Sequence, residues 1–370
     1  MIRFATFNTA LFREEAGRLI RDLSTPDDAQ ARALAEIIQR VRPHVLLINE
    51  FDYDEAGQAA RLFQEHYLGI AQNGAQPLHY PFHFSAPSNT GIDSGFDLDR
   101  DTELGGPGDA LGYGLFPGQY GMLLFSNYPI DHASVRTFQQ FLWKDMPGAL
   151  LPEHYTPLER AILRLSSKSH WDVPLRTGAE TVHILASHPT PPIVTNAANE
   201  LRARNFDEIR FWADYIDPAG HDYFYDDRGQ RGGLAAGARF VIAGDQNADP
   251  NDGGSLPGAA RQLTEHPLIN NSVVPRSAGG AQQAALQGLA NTLHKGDPAH
   301  DTADFGDGSE EDFRTAPGNL RVDYVLPQKN LTILDCGVFW PETADPLFAL
   351  VGVDPFPASD HRLVWVDLEL

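Results

Sequence analysis

Arg239-Phe240-Val241-Ile242-Ala243-Gly244-Asp245-Gln246-Asn247 is the stretch that orders the rest of the chain. Phe240 to Ala243 is unbroken apolar sequence, the pattern of a buried strand. Gly244 lets the backbone turn tightly where that strand ends. Asp245 and Asn247 are two apart, so in an extended segment they face the same side. One can handle a proton or a metal, and the other can donate its amide to a phosphoryl oxygen. Asp245, Asn247 and Asp249 also have the spacing of a calcium loop, but its sixth position is Pro250 instead of Gly and its twelfth is Leu256 instead of Glu.

The same design, an apolar run stopping at an acid, amide or imidazole, recurs along the chain. Ile2 to Phe7 reads as a strand and ends at Asn8; Val45 to Ile48 ends at Asn49-Glu50. Between them a helix is predicted: Ser24 or Thr25 can cap it, Pro26 suits its first turn, Asp27 and Asp28 meet its positive end, and Leu34, Ile37, Ile38 and Val41 share a face before Pro43 stops it. Further strands are expected at Gly121 to Phe125, Leu163 to Lys168, Thr181 to Ser187, Leu320 to Leu326 and Leu363 to Leu368. A helix is expected over Ala197 to Ile216, with Leu201, Ile209, Trp212 and Ile216 inward, and another near Ala281 to Leu289. Strands and helices without steady alternation predict an α+β layered sandwich, not a doubly wound parallel sheet. No repeat or linker divides the 370 residues, so one domain is expected, with loop insertions near 85–119 and 253–318.

Bulk composition narrows the function. Asp and Glu number 50 against 28 Lys and Arg, a net charge of −22. That argues against a broad nucleic-acid footprint and against anionic membranes, and it suits a protein that collects divalent cations. A single cysteine, Cys336, excludes an internal disulfide and a cysteine zinc cluster. No apolar run approaches a membrane span, and Met1 to Phe7 already reads as a strand, so no leader is expected within this numbering.

Three further places carry chemistry. Asp323 lies inside Val322-Asp323-Tyr324-Val325, where an unpaired carboxylate would cost several kcal/mol, so a partner is expected, histidine being the economical one. In Ser359-Asp360-His361 adjacent side chains point to opposite faces, so Asp360 can reach a metal while His361 works on phosphate or water. His188, in Ser187-His188-Pro189-Thr190-Pro191-Pro192, is held by a rigid proline run, whereas His183, within its strand, reads as structural.

Thr6-Phe7-Asn8, Ile48-Asn49-Glu50, Tyr120-Gly121-Met122, Ser187-His188, Gly244-Asp245-Gln246-Asn247, Arg321-Val322-Asp323-Tyr324 and Ser359-Asp360-His361, in that order, resemble the motifs of the endonuclease/exonuclease/phosphatase superfamily. The resemblance implies a four-layered αββα sandwich of two mixed β-sheets flanked by helices, with the site at one edge. It implies a divalent metal, Mg²⁺ foremost with Mn²⁺ or Ca²⁺ as alternatives, held chiefly by Glu50 with Asn8 and Asp360 nearby. It makes Asp245 the residue that orients or deprotonates the attacking water or protonates the leaving group, and Asn247 the holder of the phosphate. His361, oriented by Asp323, would stabilise phosphoryl oxygens; His188 would bind phosphate or assist the leaving group; Tyr120 would donate to phosphate. Lys168 falls where family members often place a basic phosphate contact. Asn49 stands where Gln is usual and Gln246 where Phe or Leu is usual, the latter expected to point away from the site. Within the first insertion, Asp97, Asp99, Asp101 and Glu103 could form an extra calcium loop.

The expected activity is hydrolysis of phosphate mono- or diesters by an activated water. A DNase-type endonuclease is the alternative, disfavoured because no basic stripe with interleaved aromatics is found. A non-catalytic binding protein on the same fold is a third. A secreted or periplasmic location is the expectation drawn from acidic, calcium-using relatives, and nothing in the sequence bears on oligomeric state.

Overall fold

The apolar runs become strands of two sheets. In the computed structural model, residues 1–193, 200–219, 222–307 and 316–370 are described. In chain order the strands are β1 (Ile2–Leu11), β2 (Val45–Phe51), β3 (Phe82–Phe84), β4 (Met122–Ser126), β5 (Arg136–Thr137), β6 (His170–Thr177), β7 (Glu180–Ser187), β8 (Arg239–Asp245), β9 (Ala303–Asp307), β10 (Pro317–Leu320), β11 (Asp323–Pro327), β12 (Thr332–Val338) and β13 (Val364–Glu369). Sheet one has the order β12-β13-β1-β2-β4-β3, sheet two the order β11-β8-β7-β6-β5, and β9 pairs with β10 apart from both. Each sheet is mixed: β1–β2 and β7–β8 are parallel, and the other pairs are antiparallel. Two mixed sheets flanked by helices make the expected α+β sandwich.

Among the described residues the longer helices are α1 (Ala29–Val41), α2 (Glu200–Tyr215) and α3 (Ala278–Gln287). Leu34, Ile37, Ile38 and Val41 of α1 join the main core with sheet one. Its cap is Asp28, which accepts from the Ala31 amide at 2.8 Å, not Ser24 or Thr25. Ser24 instead closes the short preceding helix by donating its hydroxyl to Arg21 O, so Pro26 lies outside α1.

Strand parity sorts sheet two. Val241 and Ala243 of β8, Val325 of β11, and Ile184 and Ala186 of β7 belong to the core between the sheets. Phe240, Ile242, Tyr324 and Leu185 face outward, against Ile209, Trp212 and Tyr215 of α2. Asp245, Asp323 and His188 share the parity of the inner set. Each therefore emerges between the sheets at one edge of the sandwich.

Several expectations are corrected. Leu163 to Lys168 is not a strand. The Leu163 and Leu165 carbonyls accept from the Trp143 amide and the Arg204 side chain, and the Lys168 carbonyl from the Asn89 amide, so no neighbouring strand is engaged. The run Leu320 to Leu326 is split into β10 and β11. Strands β3, β5, β6, β9 and β12 were not predicted. Helix α2 is described from Glu200 on, and residues 197–199 of the predicted helix lie outside the described ones; so do residues 308–315 of the second insertion.

Candidate active site

The site is built where β1 and β2 of sheet one meet β7, β8 and β11 of sheet two. Asn8 and Asn49 are paired across β1 and β2. Both side chains point at sheet two: Asn8 Nδ2 donates to Asp245 Oδ2 at 3.0 Å, and Asn49 Oδ1 accepts from the Asp245 amide at 3.2 Å. Regular alternation would send Glu50 to the other face. It does not, because Glu50 has a left-handed backbone, φ 58°, and β1 is irregular between Asn8 and Leu11 with Ala10 at φ 48°. Tyr120 (φ 55°) and Asn247 (φ 50°) are left-handed too. Such residues cost about 1 kcal/mol or more each and gather at functional sites.

Asp245 is the hub. Its Oδ2 accepts from Asn8 and lies 3.4 Å from His188 Nε2 and 3.8 Å from His361 Nε2. Its Oδ1 accepts from the Asn247 amide at 2.8 Å. Burial alone would raise this carboxyl, but the neighbouring His361 charge and the His188 contact hold it well below the usual carboxylate range. It is ionised near neutral pH.

The expected partner of Asp323 is His361, whose Nδ1 donates to Asp323 Oδ2 at 2.9 Å. Burial works against the imidazolium, yet Asp323, Asp245 and Asp360 together raise its pKa well above the ordinary value. His188 is the opposite case. It is 1% exposed, its ring has only the 3.4 Å approach to Asp245 and no well-formed hydrogen bond among the described residues, and burial with the nearby Lys168 charge pushes its pKa down to about 4. Two imidazoles flanking one carboxylate are thus held in different protonation states.

Glu50 lies 4.0 Å from His188 Nε2, its side chain 21% exposed. Burial, then the charge of Asp360, pushes its carboxyl up to about 7. Glu50, Asp360 and Asn8 offer only oxygen ligands to a cation, the donor set of a hard ion. No lysine or arginine forms an ion pair with either carboxylate among the described residues. Two carboxylates close enough for the charge of Asp360 to raise Glu50, without such a partner, fit a divalent cation.

Tyr120 borders Glu50, and its hydroxyl is pushed up to about 12 by burial and by that carboxylate, so it remains a donor. Its ring lies 4.5 Å from that of Phe12. Lys168 is only 7% exposed, and its ammonium has no hydrogen-bond or ion-pair partner among the described residues. Burial lowers its pKa, while Glu208, Glu50 and Asp245 favour its charge. Asn247 turns its Nδ2 to the Pro189 carbonyl at 3.1 Å. Gln246, as expected, points away, bonding Ser187 Oγ at 3.1 Å. His183 is structural, bonded to Asp172 at 2.6 Å.

The acidic insertion is only partly as expected. Asp97 and Asp99 are brought together with Asp109, one carboxylate oxygen of each lying within 4.8 Å of the others, a group that could hold a metal ion. Asp101 and Glu103 fall outside it: Asp101 caps the Glu103 amide at 2.8 Å, and both are exposed.

Several supporting residues escaped sequence reasoning. Asp52 accepts from the Tyr120 amide at 3.2 Å and the Arg13 amide at 2.8 Å, fixing the Tyr120 backbone. Its place two after Glu50 was the available signal. Thr302 donates to Asp323 Oδ2 at 2.9 Å, and Arg362 donates to the Ser359 and His361 carbonyls at 2.7 and 3.1 Å. Phe305 packs on His361 with ring centroids 5.4 Å apart. Thr302 and Phe305 come from the second insertion, which reads as polar loop.

The sequence profile of the Endonuclease/Exonuclease/phosphatase family matches residues 5–361, nearly the whole chain, and the chain belongs to that family. It is a hydrolase of phosphate ester bonds, in a family whose enzymes typically use divalent metals. No curated protein matches the sequence. Among solved structures, an endonuclease/exonuclease/phosphatase from Beutenbergia cavernae is similar over 100% of this chain and 71% of its own, with TM-score 0.52 and 18% identity, which supports the fold. Sphingomyelinase C from Streptomyces griseocarneus is similar over 99% of this chain and 98% of its own, with TM-score 0.48 and 14% identity. Among the described residues, no helix is long and apolar enough to cross a membrane.

Proposed function

We propose that the chain hydrolyses phosphate mono- or diesters of small molecules by in-line attack of a water on phosphorus, with a divalent cation, Mg²⁺ foremost, held by Glu50 with Asp360 and Asn8. The observation that carries this reading is the Asp245 carboxylate. One of its oxygens is faced by Asn8 of β1, His188 just beyond β7 and His361 just before β13, so both sheets contribute. A buried, ionised carboxylate so placed can orient a water and take its proton. When bound, the cation supplies charge stabilisation at the phosphoryl oxygens. His361, braced by Asp323, presents N–H to those oxygens from the other side. Lys168, Asn247 and Tyr120 are further donors along the same surface, and His188 assists the departing oxygen. Because these groups are fixed before substrate arrives, little reorganisation is needed at the moment of reaction.

The test is a side-by-side assay of p-nitrophenyl phosphate, bis(p-nitrophenyl) phosphate and plasmid DNA, with Mg²⁺, Mn²⁺ or Ca²⁺ and with chelator. Turnover of at least one aryl ester, abolished by chelator and by Asp245→Ala or His361→Ala in folded protein, is expected. Activity indifferent to chelator would sink the metal role. Plasmid cleavage far outpacing both esters would make it a nuclease. No turnover with any metal would favour the binding-protein alternative.

A further inference from the structure

Helix α2 buries more than its apolar face. Arg204, Asn205 and Glu208 are also buried, Asn205 and Glu208 completely. Charged groups in such a place are expensive unless fully paired, so what they bond shows what they are for. Glu208 Oε1 accepts from the Ser167 amide and Oε2 from the Thr190 amide, both at 2.6 Å. Asn205 Nδ2 donates to the Thr190 and Gln246 carbonyls at 2.9 and 3.0 Å. Arg204 donates to the Leu165 and Arg164 carbonyls at 2.9 and 3.0 Å. Arg204 also donates to the Leu111 carbonyl at 2.5 Å. Apart from Leu111, these partners are main-chain groups of segments that carry a site residue: Lys168 follows Ser167, His188 precedes Thr190 by two, and Gln246 lies between Asp245 and Asn247. At Ser167, Thr190 and Gln246 the backbone is outside any strand. Main-chain pairing reaches only Gln246, whose amide donates to the Val322 carbonyl at 2.8 Å; the Ser167 amide, the Thr190 amide and the Thr190 and Gln246 carbonyls are held by the helix side chains.

We propose that Glu208 is a positioning residue: by spanning Ser167 and Thr190 with one carboxylate, it fixes where Lys168 and His188 stand relative to Asp245. The inference rests on the phosphate-facing roles given to Lys168 and His188 above. The span needs an acceptor at both ends, which a carboxylate has and a carboxamide lacks. Glu208 is itself fully buried, so it acts through its two loops, and through its charge near Lys168, and not on substrate. Asn205 ties the Thr190 segment in turn to Gln246.

The test uses the full chain with bis(p-nitrophenyl) phosphate at saturating Mg²⁺. Glu208→Gln keeps the shape but meets one of the two amides with an NH₂ group. It should lower kcat by ~10–100-fold, the scale of a misplacement near 1 Å. The Mg²⁺ concentration giving half-maximal rate should stay unchanged, since Glu50 and Asp360 are untouched; a general loosening of the fold would move both. In a Lys168→Ala,His188→Ala background, Glu208→Gln should lower kcat by less than about threefold, because the groups it positions are gone. Should Glu208→Gln fail to fold, Glu208→Asp, which keeps the charge but is too short to span both amides, must show the same pattern, with faster hydrogen exchange at the Ser167 and Thr190 amides. Wild-type kcat in these variants, or a full additional loss in the double background, overturns the proposal. If instead Lys168→Ala and His188→Ala are each fully active while Glu50→Ala is dead, it is the reading of those two residues that has failed.

Discussion

At the residue scale, the site depends on backbone conformations that most side chains resist. Gly244 has φ 137°, and a Cβ there would overlap the Ser187 carbonyl oxygen of the neighbouring strand. Asp245 follows it directly, so the close approach of β7 and β8 is what brings His188 and Asp245 together. Gly244→Ala is therefore expected to destabilise the fold by roughly 2–4 kcal/mol, through overpacking combined with a strained backbone. It should also lower kcat in the protein that remains folded. Urea unfolding with wild-type midpoint and slope would show that the strands do not approach as described. Asn49 makes the complementary contact from sheet one. Asn49→Leu leaves the buried Asp245 amide without its acceptor, a loss of about 1–3 kcal/mol, and Asn49→Gln should recover part of it, as measured by the same denaturation. The chemistry-bearing residues were legible one by one because each is an out-of-place polar group at the end of an apolar run. Glu50 shows what was not legible: strict alternation would turn it away from the site, and only its left-handed φ brings it back.

At the scale of elements, what could be read followed one rule. A strand with a continuous apolar run, such as β2 or β8, announces itself; one whose buried face includes polar residues does not. Strand β6 carries His170, Asp172 and Pro174 among its buried residues, and it escaped notice for that reason. The polar ridge of α2 was hidden in the same way, since amphipathic reasoning assigns Arg204 and Glu208 to solvent. These hidden groups make a prediction about acid. His170 is 1% exposed, its Nε2 lies 2.9 Å from the Glu208 carbonyl oxygen, and burial pushes its pKa down to about 4. Folding therefore favours the neutral ring. Its contribution is fully present above the unfolded pKa of about 6.5 and is lost as pH falls toward the folded value, because the unfolded state then binds the proton that the native state refuses. At pH 5 the loss is on the order of 2 kcal/mol for this residue alone. Unfolding free energies of wild type and His170→Gln, measured at pH 7 and pH 5, should show a shallower decline in the variant. Parallel declines would place His170 outside the acid response.

At the scale of the whole molecule, the chain pairs an active centre for anions with a net charge of −22. The cationic groups near the reaction centre, Lys168 and His361, are buried and local. The long-range field an approaching phosphate ester meets is accordingly negative, and attraction begins only within the site. Salt should then help instead of hinder. Raising ionic strength from about 20 mM to about 200 mM shortens the screening length from roughly 20 Å to roughly 7 Å. The repulsion from distant carboxylates is removed while contacts inside the site, shielded from bulk ions, are kept. With Mg²⁺ saturating throughout, kcat/KM for bis(p-nitrophenyl) phosphate is expected to rise severalfold over that range, with kcat itself nearly constant because the effect lies in encounter. Uncharged competitors of the same shape should show no such dependence. A nuclease with a cationic groove behaves oppositely, its affinity falling steeply as salt displaces it from the phosphate backbone. The sign of the salt effect on kcat/KM therefore separates the two substrate readings. A steep fall would mean that a basic channel leads to Asp245 despite the acidity of the chain, and the nuclease reading would prevail.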